Sequence, residues 1–193
     1  MKFFVNYNKN FDVLFVLFEN RAVNNTKKVN NIELLFNNDK LIGANIFDPK
    51  IDKEKTYRIE DLVLLNYAKQ ALKEHIKIDN IEAQFVVAKV EECEKIEGTH
   101  LSKCKVNNGK EILQIICGAN NVKQGLITCL ATIGSFMPSG VQILKGSLKG
   151  NESYGMLCSG KELKIDNRNI NDSGIIELNL ANDFLGKSIW EVI

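Results

Sequence analysis

Glycine sets the frame of this sequence. Eight of its thirteen glycines fall between Gly118 and Gly160. Around them the apolar residues come in runs too short for helices, at 85–90, 103–106, 112–117, 126–133, 141–144 and 175–178. Short apolar runs separated by glycine turns predict many short strands, and many short strands predict a barrel or a sandwich. Only two prolines occur, Pro49 and Pro138, so no proline-rich linker interrupts the pattern.

The first part of the chain has another texture. Apolar runs at 3–5, 12–18, 32–36 and 41–47 are split by Asn, Asp and Lys clusters, which reads as strand and turn. Asn24-Asn25 and Asn37-Asn38-Asp39 are expected hairpin turns, because Asn and Asp tolerate positive φ. Between 60 and 76 the period changes. Leu62, Leu65, Ala68, Leu72 and Ile76 recur at three and four residues, one face of a helix. Glu60 and Asp61 at its start and Lys73 and Lys77 near its end suit the helix dipole. A polar break at 77–81 follows. The expected organisation is a small α+β domain over 1–79 and an all-β barrel over 80–193. Roughly a hundred residues with five or six strands suits the OB-fold, whose groove accommodates oligonucleotides.

Several function classes are excluded or unsupported. Lys plus Arg number 25 and Asp plus Glu 24, so the chain is neither a polycation nor an acidic tail protein. Asn, Lys and Ile together make up 66 residues, a bias of the kind A/T-rich codons produce, so an isolated lysine carries little weight. No stretch approaches the roughly 18–20 apolar residues of a membrane span, and no secretory leader pattern is present. The reading is a cytoplasmic protein without a membrane partner. Five cysteines, at 93, 104, 117, 129 and 158, form no CxxC pair and lie in or beside apolar runs, which predicts reduced, buried core filler. His75 and His100 show no ligand spacing, so no metal is expected. P-loop, G-x-S-x-G, H-E-x-x-H and G-x-G-x-x-G motifs are absent, Ser153 has no histidine near it in sequence, and no cofactor or enzymatic activity is expected.

What remains is a basic segment. Residues 80–193 hold 12 basic and 13 acidic side chains, yet from Lys123 to Lys149 there are three lysines and no acid. Extended to Arg168, the count is six basic to three acidic. Segregated charge of this kind suits a phosphate backbone, and it equally suits a solvated face. Within the overlapping stretch from Ile116 to Ile165 stand Cys117-Gly-Ala-Asn-Asn-Val122, Met137-Pro-Ser-Gly140 and Lys149-Gly-Asn-Glu-Ser-Tyr-Gly-Met-Leu-Cys-Ser159, followed by Lys161-Glu-Leu163. In this order and spacing they resemble the tRNA-binding domain family. That OB-fold opens the bacterial phenylalanyl-tRNA synthetase β subunit, closes methionyl- and some tyrosyl-tRNA synthetases, and occurs in free-standing tRNA-binding proteins. The resemblance covers roughly 82–190. Residues 1–79 resemble, more loosely, the first domain of the small YtpR-like proteins. The chain lacks the bulk of a synthetase subunit and reads as a complete, free-standing protein.

The resemblance implies a non-catalytic protein that grips folded tRNA through a basic rim. Lys145 and Lys149 are the expected phosphate contacts, with Lys123 and Lys161 in the same basic cluster. Asn120 and Asn121 either close a turn or offer amides to phosphate or bases. Ser153 and Met156 are implied to lie on the RNA surface, the serine reaching ribose or phosphate and the methionine packing on a base; Met156 in the barrel core is the alternative. Phe136 and Tyr154 are candidate stacking groups, although Phe136 could instead plug the barrel end. The competing function is a protein-interaction or dimerisation module attached to an aminoacyl-tRNA synthetase or the translation machinery, with 175–193 as a possible homodimer surface.

Overall fold

The computed structural model describes residues 1–193 and resolves into two compact units. One comprises Met1–Glu82 with Ser139–Gln142, the other Ala83–Pro138 with Ile143–Ile193. No helix is long and apolar enough to cross a membrane.

The first unit is mostly β. Strands β1 (Phe4–Asn8), β2 (Val13–Leu17), β3 (Asn25–Val29), β4 (Ile32–Asn37) and β5 (Lys40–Phe47) form an antiparallel sheet in the order β1-β2-β5-β4-β3. Alternation places Val5, Val16, Ala44 and Leu34 in register on one face, where Leu14, Ile46 and Ile32 join them. The helix α1 (Leu62–Ala71) adds Leu64, Leu65 and Ala68 to that core, and Leu72 follows at its cap. Full burial of each leucine contributes about 1.5–3 kcal/mol. Asp61 caps the helix by accepting from the Val63 N–H at 2.9 Å.

Two sequence expectations shift here. Leu62 and Val63 face solvent, because the first turn follows the buried cap and the apolar face starts at Leu64. The turn expected at Asn24-Asn25 lies instead at Asn30-Asn31, between paired Val29 and Ile32 of β3 and β4, with Asn30 at φ 53°. Strand β3, Asn-Thr-Lys-Lys-Val, is almost wholly exposed at a sheet edge, so it has no apolar alternation to betray it. Between paired Asn37 and Lys40 the expected turn forms, with Asn38 at φ 53°.

The second unit is a nearly closed, OB-like barrel. Strands β6 (Phe85–Lys95), β7 (Ser102–Asn107), β8 (Ile112–Cys117), β9 (Ile127–Thr132) and β12 (Gly155–Leu157) pair antiparallel in the order β12-β9-β6-β7-β8. The long β6 serves both sides: residues 85–89 pair with β9 and 89–95 with β7. A bulge between Val90 and Glu92 bends it between the two partners. Ala88, Val90, Cys104, Val106, Ile115, Leu130 and Leu157 fill the interior. Two further strands, β10 (Gly146–Leu148) and β11 (Asn151–Ser153), form a separate hairpin. The runs at 141–144 and 175–178 form no strand; the second contributes only an isolated bridge between Leu178 and Ile127.

Candidate nucleic-acid interface

Ser153, Met156 and Lys161 gather at the gap between β8 and β12. The segment leaving the β10–β11 hairpin lies against β8 rather than continuing a ladder. Gln114 Nε2 donates to the Glu152 carbonyl at 2.7 Å, and the Tyr154 N–H donates to the Gln114 carbonyl at 2.9 Å. Ser153, only 7% exposed, places its hydroxyl between two backbone groups: it accepts from Ile116 N–H at 3.1 Å and donates to the Gly155 carbonyl at 3.1 Å. The ribose or phosphate contact expected of Ser153 is therefore corrected to a structural role. Its hydroxyl satisfies a buried strand donor that would otherwise be orphaned.

Beside this seam a cleft of about 520 Å³ opens. Ile116, Met156 and Leu157 give it an apolar floor, and Ser159, Lys161 and Glu162 a polar rim. Met156 is half-buried, so it belongs to the cleft wall and not to the closed core. Lys161 is exposed and also borders a second cleft of about 170 Å³ lined by Arg168, Asn167 and Asn171. The far wall of the first cleft, Asp172–Ile175, is held by Asn121. Its amide donates to the Ile175 carbonyl at 2.8 Å and to Glu177 Oε1 at 2.9 Å, while its Oδ1 accepts from Ile175 N–H at 3.0 Å. Gly174 must be glycine for this clasp, since a Cβ there would sit 2.2 Å from Asn121 Oδ1. Of the two readings for Asn121, the structure supports the loop-closing one. Asn120 beside it is exposed. Lys123 is exposed and lies 3.9 Å from Glu177.

Lys145 and Lys149 do not line the cleft; they ride the β10–β11 hairpin. Leu148 pairs with Asn151, leaving Lys149-Gly150 as a two-residue turn with φ 50° and 76°. Two successive positive φ values are the signature of a type I′ turn, which matches the twist of the flanking strands. The turn holds the Lys149 side chain at an exposed tip. Lys145 is engaged within the hairpin: its ammonium lies 2.5 Å from Glu152 Oε1 and 5.0 Å from the Tyr154 ring centre. Tyr154 donates its hydroxyl to Glu152 Oε2 at 2.5 Å. Bonds from Lys145 and then Tyr154 hold the Glu152 carboxyl below its usual range, and the Glu152 bond, with Tyr154 second, raises the Lys145 ammonium.

Sequence reasoning overlooked this Lys145–Glu152–Tyr154 cluster. Its one legible sign is the i, i+2 spacing of Glu152 and Tyr154, which puts them on one side of an extended segment. Phe136 has no exposed surface, so it is a buried core residue and not a stacking platform for a base. Arg168, counted in the basic cluster but not placed at the site, borders the second cleft beside Lys161.

Comparison with known proteins identifies the family of the chain. The family model described as "Putative tRNA binding domain" matches residues 85–179, the barrel, the hairpin and the cleft. The putative tRNA-binding protein YtpR of Bacillus subtilis is 37% identical over 152 residues, covering 72% of this chain and 74% of that protein. The uncharacterized protein MG449 of Mycoplasma genitalium is 48% identical over 96 residues, 49% of this chain and 41% of its own length. The phenylalanine–tRNA ligase beta subunit of Ehrlichia canis is 46% identical over 110 residues, 53% of this chain but 14% of that subunit. The chain thus spans less than half the length of the MG449 protein and a small part of the ligase subunit. Identity sustained across both units of the fold and most of YtpR places the chain in the tRNA-binding domain family that includes the YtpR-like proteins.

Proposed function

We infer that the protein binds tRNA without catalysing a reaction on it, and that it grips the folded molecule through the β10–β11 hairpin and the neighbouring cleft. The observation carrying this reading is the pairing of two unlike features in the matched segment 85–179: an exposed lysine tip at Lys149 and a cleft whose apolar floor includes Met156. A duplex backbone needs only charge; an unstacked base needs an apolar platform as well. Lys145, Lys149, Lys161 and Lys123 act on phosphates, Met156 and the exposed Asn120 act near bases or sugars, and Ser153 and Asn121 shape the surface without touching RNA. The first unit, with its single helix on one sheet face, serves as an α+β companion domain, and the setting is the cytoplasm.

Mobility-shift titration with total tRNA tests this reading. Binding should weaken steeply with added salt, and Lys145→Ala with Lys149→Ala should lower the log–log salt slope by about 1 per lysine. Absence of binding at low salt, or binding indifferent to salt, overturns it. A second reading, docking to an aminoacyl-tRNA synthetase or to a second copy, is favoured by one observation. Leu144 and Leu148 beside the hairpin lysines are 66% and 48% exposed, and the outer edge of β10 carries no partner strand. Retention of a synthetase after nuclease treatment, with no RNA bound, supports that alternative.

A further inference from the structure

Strand register brings two of the five cysteines face to face. Antiparallel pairing of β6 with β7 sets Cys93 directly opposite Cys104. Ile96 N–H donates to the Leu101 carbonyl at 2.9 Å, which makes those two a hydrogen-bonded pair. Pair types alternate along an antiparallel ladder, so Glu94–Lys103 is hydrogen-bonded, while Lys95–Ser102 and Cys93–Cys104 are not. In a non-hydrogen-bonded pair the Cα atoms stand about 4.5 Å apart and the side chains approach most closely. That separation lies inside the roughly 4.4–6.8 Å a disulfide spans. The sulfurs are already 3.6 Å apart, with the Cys104 thiol directed at Cys93. Both are free thiols, and they differ in access: Cys93 is half-buried, whereas Cys104, Cys117, Cys129 and Cys158 are buried.

We propose that Cys93 and Cys104 constitute a reversible disulfide site, with Cys93 the thiol that meets a hydroperoxide and Cys104 the thiol that resolves it. The Cys93 sulfur attacks one peroxide oxygen; the O–O bond breaks, leaving a sulfenic acid on Cys93 and, from hydrogen peroxide, one water. The Cys104 sulfur then attacks the Cys93 sulfur. The S–O bond breaks and its oxygen departs with the Cys104 proton as a second water. The two thiols together lose two electrons and two protons, and the peroxide accepts both. Burial, with the Cys93 contact second, pushes the Cys104 thiol well above its ordinary range, which keeps it protonated until Cys93 has reacted. A dithiol reductant reverses the bond by exchange, entering at Cys93, the less buried residue of the pair. The crosslink clamps β6 to β7 across the turn at 96–101.

Peptide mapping of the full chain after mild hydrogen peroxide treatment and thiol blocking tests the assignment. Two of the five thiols should disappear, one linked peptide pair should contain Cys93 and Cys104, and dithiothreitol should restore both. In Cys104→Ser the reaction should stop at sulfenic acid, captured by dimedone on Cys93. Five unchanged thiols, a bond to any other cysteine, a bond between two molecules or dimedone on a different residue overturns it. If Cys104→Ser does not fold, the map of the unmodified sequence decides alone.

Discussion

Glu152 is the residue whose role is least visible before folding. It sits between Lys145 and Tyr154 and neutralises one of the two lysines best placed for phosphate. Both members of the ion pair are half-exposed, so the pair adds little stability, and its main effect is competition. Glu152→Gln should therefore tighten tRNA binding several-fold at low salt with little change in the unfolding midpoint, as filter binding and thermal melts would register. Asn121 has the opposite character. Its three hydrogen bonds clasp the wall of the cleft, and each contributes about 0.5–1.5 kcal/mol net. Asn121→Ala is expected to cost about 2–3 kcal/mol in urea denaturation and to loosen the 172–175 segment in hydrogen exchange. The sequence left this asparagine open between turn and ligand. Its partners at Ile175 and Glu177 lie more than fifty residues away, so no local pattern could choose.

At the scale of elements, the hairpin offers a way to separate charge from fold. The Lys149-Gly150 turn needs a positive φ at both positions, and asparagine tolerates it better than lysine. Lys149→Asn should keep or slightly raise thermal stability while weakening tRNA binding and lowering the salt slope by about 1. A variant that binds unchanged would move the phosphate contact elsewhere. In the first unit, α1 depends on one cap: Asp61→Ala should cost about 1 kcal/mol, measured by chemical denaturation. Most elements were legible from period and punctuation. The strands β8 and β9 were legible because their buried faces are apolar, whereas β3 escaped because an exposed edge strand has no face to bury. The strands β10, β11 and β12, three residues each, were too short for any periodicity to declare itself.

For the molecule as a whole, acid should act first on the first unit. Lys50 and Lys53 bonds hold the Asp48 carboxyl down at about 2, and bonds from Lys53 and then Tyr7 lower Asp12. Depressed carboxylates contribute stability that is complete above the unfolded carboxylate range, near 4, and is lost as pH falls through the folded values. Stability should thus decline between about pH 4 and pH 2, and Lys53→Met should flatten that decline, as acid titration of the unfolding midpoint would reveal. The sequence by itself determined the β-rich barrel and the basic segment, because alternation, glycine punctuation and charge are local and survive without coordinates. Tertiary structure alone decided which motif residues face solvent. It turned Ser153 and Phe136 inward, gave Asn121 to a loop, set Glu152 on Lys145 and placed Cys104 against Cys93. Each of these outcomes follows from strand register or barrel closure, and a one-dimensional pattern holds no record of which residue another will meet.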